Sequence, residues 1–197
     1  MSDKKDLLDY ISDNNGIITA DKVEDIGFSR GSLKYMADTG RLEKVERGIY
    51  ILPETMEDDF FILQSRFKKG IYCLETALFL HDLTDRTPQI LKMTFPLTYN
   101  LTSPKNAGIL CCNCKKEVYS LGICEMKSPY GNRINVYNAE RTLCDLLKGR
   151  NHTDIQIISE AFRRYFKRKD RNIYLLSDYG KRLHVEKRLK NYLEILI

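Results

Sequence analysis

The sequence predicts an α+β fold in two parts: a small N-terminal module of three helices and a hairpin, then a larger domain with a small sheet and C-terminal helices. Three observations carry this. Residues 1–52 of the 197 hold three short runs of helical periodicity followed by two strand-like runs around a glycine. Residues 91–137 hold five β-like runs separated by turn residues, and the last 45 residues carry two amphipathic patterns dense in Lys and Arg.

Residues 6–14 place Leu7, Leu8 and Ile11 on one face and stop at Asn14-Asn15-Gly16, which predicts a first helix. After the apolar pair Ile17-Ile18, Thr19 caps a second helix that carries Ala20, Val23 and Ile26 inward and closes at Gly27. Such a short helix suits the first half of a helix-turn-helix. Ser29 caps a third, with Leu33, Met36 and Ala37 toward the core and Arg30, Ser32, Lys34 and Tyr35 outward. Gly40 ends it. Residues 42–45 and 49–52 then read as strands joined by Glu46-Arg47-Gly48, with Arg47 at the tip. This order is that of a winged helix-turn-helix.

Pro53-Glu54-Thr55 places the domain boundary near residue 53, giving domains over 1–53 and 54–197. Met56-Glu57-Asp58-Asp59 supplies an acidic first turn for a helix over 59–69 with Phe60, Leu63 and Phe67 on one face, and past Gly70 residues 71–81 continue as a second helix. The β-like runs are 91–95, 109–112, 118–121, 122–127 and 133–137, with turns at Ser103-Pro104, Ser128-Pro129 and Tyr130-Gly131-Asn132. Asn138-Ala139-Glu140-Arg141 opens a helix through Leu147, and residues 155–168 and 177–196 predict two more.

Composition bounds the class. With 43% apolar residues the chain can build a packed core, and it has no apolar run of 18 residues. Its N-terminus lacks the apolar stretch of a signal peptide, so a cytoplasmic protein without a membrane partner is expected. Its six cysteines are expected as reduced thiols. The net charge of +5 is uneven: residues 1–52 carry −2 and residues 150–197 carry +6.

DNA is the partner these patterns suit. The third helix can enter a major groove, where Arg30 or Lys34 can donate to guanine O6 and N7. Ser29, Ser32 and Tyr35 can meet phosphate or base, while Arg41, Lys44 and Arg47 suit backbone phosphates. The acidic balance of the module means that a local basic face must carry the attraction. A small protein-interaction module fits the same elements. Arg163, Arg164, Lys167, Arg168, Lys181, Arg182, Lys187 and Arg188, interleaved with Tyr165, Phe166, Tyr174 and Tyr192, read either as a second DNA surface or as solvated helix faces.

Other chemistry is thinly represented. Cys111 and Cys114 form one C-x-x-C, with Cys124 ten residues on, but the second paired motif of a zinc site is missing, so no metal and no cofactor are expected. His81, His152 and His184 are dispersed, and no nucleophile elbow or phosphate-cradling glycine loop occurs. An enzyme is not expected. Arg141 and Asp145 stand four apart on one helix face, the spacing of an ion pair.

Taken with these elements, Gly40-Arg41-Leu42, Arg47-Gly48-Ile49-Tyr50, Tyr72-Cys73-Leu74-Glu75-Thr76-Ala77-Leu78, Leu83-Thr84-Asp85-Arg86-Thr87-Pro88 and Glu140-Arg141-Thr142-Leu143-Cys144-Asp145-Leu146 resemble the AbiEi family of antitoxins of bacterial type IV abortive-infection toxin–antitoxin systems. The last motif is the most distinctive. The resemblance implies a winged domain that represses its own operon by binding inverted repeats in double-stranded operator DNA. It also implies a C-terminal domain that counteracts a nucleotidyltransferase toxin without a stable complex, with Arg141 and Asp145 as candidate antitoxin residues. The acidic N-terminal module departs from a lone DNA-binding wing and shifts phosphate contact toward the basic C-terminal region. A winged-helix regulator that answers a ligand or protein, with no toxin partner, is the alternative.

Overall fold

The computed structural model describes residues 6–151 and 153–196, and the chain divides into two compact units. The first comprises the chain up to Lys68 together with Lys127–Ile134; the second comprises Lys69–Met126 and the chain from Asn135. The first unit therefore runs past residue 53 and takes in a distant hairpin tip.

In the first unit, helix α1 (Leu7–Asp13) buries Leu7 and Ile11, and the chain turns at Asn15 and Gly16, both with positive φ. The apolar pair that follows is a strand, β1 (Ile17–Thr19). Its partner lies far along the chain, with Ile17 opposite Ile51 and Thr19 opposite Ile49, which is why local pattern alone does not reveal it. Helix α2 (Ala20–Asp25) starts at Thr19, whose side chain accepts from the Lys22 N–H, and α3 (Arg30–Asp38) starts at Ser29, which accepts from the Ser32 N–H. Strands β2 (Glu43–Glu46) and β3 (Ile49–Ile51) form a hairpin turned by Arg47-Gly48, with Gly48 at φ +78°. The sheet order is β1-β3-β2.

Strand periodicity gives that sheet two apolar faces. Ile18 joins Leu7, Ile11, Val23, Leu33 and Leu42 in one cluster, while Ile17, Ile49 and Ile51 meet Ile62 of helix α4 (Asp59–Arg66) in another. Asp58 caps α4 by accepting from the Phe61 N–H at 3.1 Å. Its other oxygen accepts from the Ser128 hydroxyl at 2.5 Å and the Asn132 amide at 2.7 Å, all in the interior. Asn132 in turn accepts from the Asn15 amide at 3.1 Å.

The second unit is built from β4 (Ile71–Tyr72), α5 (Leu74–Leu80), β5 (Lys92–Pro96), α6 (Thr102–Asn106), β6 (Leu110–Cys114), α7 (Lys116–Tyr119), β7 (Ile123–Lys127), β8 (Arg133–Tyr137), α8 (Ala139–Leu146), α9 (Ile155–Lys167), α10 (Ile173–Arg182) and α11 (Glu186–Leu196). The strands form one sheet in the order β6-β5-β4-β8-β7, with β4 antiparallel to β5 and parallel to β8, and β5 parallel to β6. Every residue of α8 is buried. Around it pack Leu78 of α5, Phe162 and Tyr165 of α9, Leu176 and Tyr179 of α10, and Leu189 of α11.

Four expectations are corrected here. The run over 71–81 is a two-residue strand and then a helix, because Tyr72 pairs with Met93 and Val136 before Cys73 lets α5 begin. Residues 118–121 are not a strand, since Val118 and Tyr119 end α7. Ser103-Pro104 lies inside α6, where a proline in the first turn loses no helical hydrogen bond. The helix expected over 177–196 is two helices, parted at His184, whose φ of +58° no helix interior accommodates. Among the described residues no helix is long and apolar enough to cross a membrane.

Candidate nucleic-acid interface

Helix α3 presents one buried and one exposed face in the first unit. Leu33 is buried, Met36 and Ala37 are half-buried, and Arg30, Lys34 and Tyr35 are exposed, with Tyr35 at 64%. The Ser29 and Ser32 hydroxyls lie 3.1 Å apart over the first turn. The face is therefore short, aromatic and cationic, with its polar start organised by the cap.

Arg30 is the exception to a free cationic face. Its guanidinium donates to Asp21 at 3.1 Å and to Glu24 at 2.8 Å, tying α3 back to α2. Lys68 also bonds Asp21, and this bond, more than Arg30, holds the Asp21 carboxyl below the usual range. The two acids are exposed, so Arg30 remains reachable. Lys34 has no ion-pair partner among the described residues. These α2 carboxylates went unread in the sequence. The signal was present, since Asp21 and Glu24 are three apart and share one helix face.

Arg41, Lys44 and Arg47 are all exposed. At the turn the Arg47 N–H donates to the Glu46 carboxylate at 3.0 Å, and Arg66 of α4 pairs with the same carboxylate at 2.7 Å. Glu46 is held below the usual range, first by that backbone bond and then by Arg66. The Arg47 side chain stays out in solvent.

Cations of the second unit spread over three helices. Arg164 pairs with Asp85 and with Glu160, Arg168 with Asp170, Arg182 with Asp178 at 3.6 Å, and Arg188 donates to the Leu147 carbonyl at 2.7 Å. Arg168 also donates to the His81 carbonyl at 3.0 Å, and its bond to Asp170 pulls that carboxyl down to about 2. Arg163, Lys167, Lys181 and Lys187 are exposed, with no ion pair among the described residues.

Arg141, at 1% exposure, is one of the largest fully buried side chains. Its Nε donates to Asp145 at 2.9 Å, and Nη1 donates to the Val118 and Leu121 carbonyls at 2.6 and 3.0 Å. The guanidinium sits 4.5 Å from the Tyr137 ring centroid. Lys148 completes Asp145 at 2.6 Å. Gly122 is required beside it: at φ +77°, an added Cβ would lie 2.8 Å from the Arg141 Cβ. The pair thus fixes the segment from α7 into β7 from inside.

Cys111, Cys114 and Cys124 do not converge. Cys111 and Cys114 lie on β6 and Cys124 on β7, the opposite edges of the sheet, roughly 19 Å apart at ordinary strand spacing. An odd spacing along one strand also sends Cys111 and Cys114 to opposite faces. Burial raises all three thiols.

Residues 5–53 match the family model described as "Transcriptional regulator, AbiEi antitoxin". No curated protein matches the chain. Among solved structures, the crystal structure of RV2827C protein from Mycobacterium tuberculosis is similar with a TM-score of 0.48 and 11% identity, covering 95% of this chain and 79% of that one.

Proposed function

We propose, on the premise that residues 5–53 belong to the AbiEi antitoxin family of transcriptional regulators, that this protein is the antitoxin of a type IV abortive-infection system and the repressor of its own operon. The N-terminal module acts as a winged helix-turn-helix: α2 and α3 are the two helices of the motif, and the β2–β3 hairpin is a short wing. The observation that carries the reading is the face of α3, where Lys34 and Tyr35 stand exposed one turn past a Ser29-capped start.

Lys34 and Tyr35 read base edges in a major groove, and Arg41, Lys44 and Arg47 hold phosphates. Arg30 braces α3 against α2 through Asp21 and Glu24, and it meets phosphate from that position. The second unit counteracts a nucleotidyltransferase toxin without a stable complex. Arg141 and Asp145 serve that role from within, by fixing the α7–β7 segment. No reaction is catalysed.

The test is a reporter driven by the DNA upstream of the gene, scored beside survival of cells expressing the neighbouring nucleotidyltransferase gene. Lys34→Ala is expected to release the reporter while protection from toxicity persists. Loss of protection with repression intact would contradict the assignment of the two halves.

A further inference from the structure

The second unit holds a pocket of about 320 Å³ against the C-terminal end of α8, lined from α9 and α11. That volume lies at the small end of the range for small-molecule sites. Its charge is one-sided. Lys148 and Arg188 line it with Asn191 and Thr153, and among the described residues no carboxylate side chain is in the lining. Arg188 donates through Nη1 to the Leu147 carbonyl at 2.7 Å, and among the described residues the rest of its fork is available. Lys148 gives one bond to Asp145, at 2.6 Å, and an ammonium has three to give.

Thr153 adds an independent sign. Its hydroxyl oxygen is buried in the pocket wall and has no hydrogen-bond partner among the described residues, a state that buried hydroxyls rarely hold. The remaining wall is apolar. Tyr192 is held flat by stacking on Phe162, with centroids 4.8 Å apart and an interplanar angle of 15°, and Ile155 leaves a large apolar side chain 68% exposed.

We infer that this pocket binds a small organic phosphate, with the phosphate monoester held by Arg188, Lys148, Asn191 and Thr153 and an apolar or aromatic body against Tyr192 and Ile155. Two cations, an amide and a hydroxyl offer more donors than the two oxygens of a carboxylate can use, and the three terminal oxygens of a phosphate monoester match them. The inference stands apart from the reading of α3, because no residue of the first unit takes part.

Calorimetric titration of the full-length protein with phenyl phosphate, inorganic phosphate and benzoate tests it. Phenyl phosphate is expected to bind saturably at one site per chain and more tightly than either of the others. Arg188→Gln should weaken it by about tenfold or more, the loss of a charge-assisted contact. Thr153→Val should also weaken it, yet leave the melting temperature of the free protein unchanged or raised, since the deleted hydroxyl had no partner to lose. That variant keeps the test decisive even where Arg188→Gln perturbs the fold. Absence of saturable binding, equal or tighter binding of benzoate or inorganic phosphate, or binding indifferent to both substitutions would overturn the inference.

Discussion

Arg141 decides most at the level of single residues. A guanidinium this deeply buried survives because every contact it makes is to a carboxylate, a carbonyl or a ring face, and removing it leaves the Val118 and Leu121 carbonyls without their donor and Asp145 with Lys148 as its remaining cation. Arg141→Met should therefore cost about 3–5 kcal/mol in urea unfolding. Arg141→Lys should recover only part of it, for an ammonium cannot span the same acceptors as a fork. His81 gives a second, pH-dependent expectation. Its Nε2 lies 2.8 Å from the Tyr137 carbonyl, and burial pushes its pKa below the ordinary imidazole value. The folded protein keeps the ring neutral while the unfolded chain takes up a proton. That contribution is complete above about pH 6.5 and is lost as pH falls toward the folded value. The urea midpoint should decline over that window in the wild type and much less in His81→Gln. Asp170 acts lower: held at about 2 by Arg168, its contribution is present above the ordinary carboxylate range and disappears toward that value.

Helix starts and one buried carboxylate organise the elements. Ser29 caps the nine-residue α3, and Ser29→Ala should lower stability by about 1 kcal/mol and weaken DNA binding further by fraying the first turn. Asp58 does more, since it caps α4 and accepts two interior donors from the hairpin tip. Asp58→Ala should cost about 3 kcal/mol in urea unfolding, and a loss below 1 kcal/mol would show that the tip is not tied there. The three N-terminal helices were legible because each has its own apolar stripe and stop within a dozen residues, and α2 and α3 a capping side chain as well. Strands β1 and β4 were not, because three- and two-residue strands exist only through partners tens of residues away. The misreading of 71–81 has the same root: a continuous apolar run looks helical until Tyr72 is given its neighbours on both sides.

Across the whole molecule, charge and site legibility part company. The +6 of residues 150–197 was visible at once, yet much of it is bound up with Asp85, Glu160 and Asp170 or turned to a backbone carbonyl. The α3 residues were readable from periodicity alone, and so was the exposure of Arg30, Lys34 and Tyr35, while Ser32, expected outward, is half-buried. The brace on Arg30 required knowing that α2 lays Asp21 and Glu24 beside it, which is a tertiary fact. Arg141 and Asp145 were readable as an i,i+4 pair, but not as the interior clamp on two carbonyls more than twenty positions from Asp145. The central claim is that the α3 face reads DNA while the turn at Arg47 holds its backbone. Its most direct test is binding to the duplex upstream of the gene against scrambled duplex, over a salt series, for wild type, Lys34→Ala and Arg47→Ala. The account predicts tight, sequence-preferring binding by the wild type. Lys34→Ala should erase the preference, and Arg47→Ala should weaken both duplexes equally while reducing the salt slope by about 1. Equal affinity of the wild type for the two duplexes, or a preference that survives Lys34→Ala with an unchanged salt slope in Arg47→Ala, would contradict it.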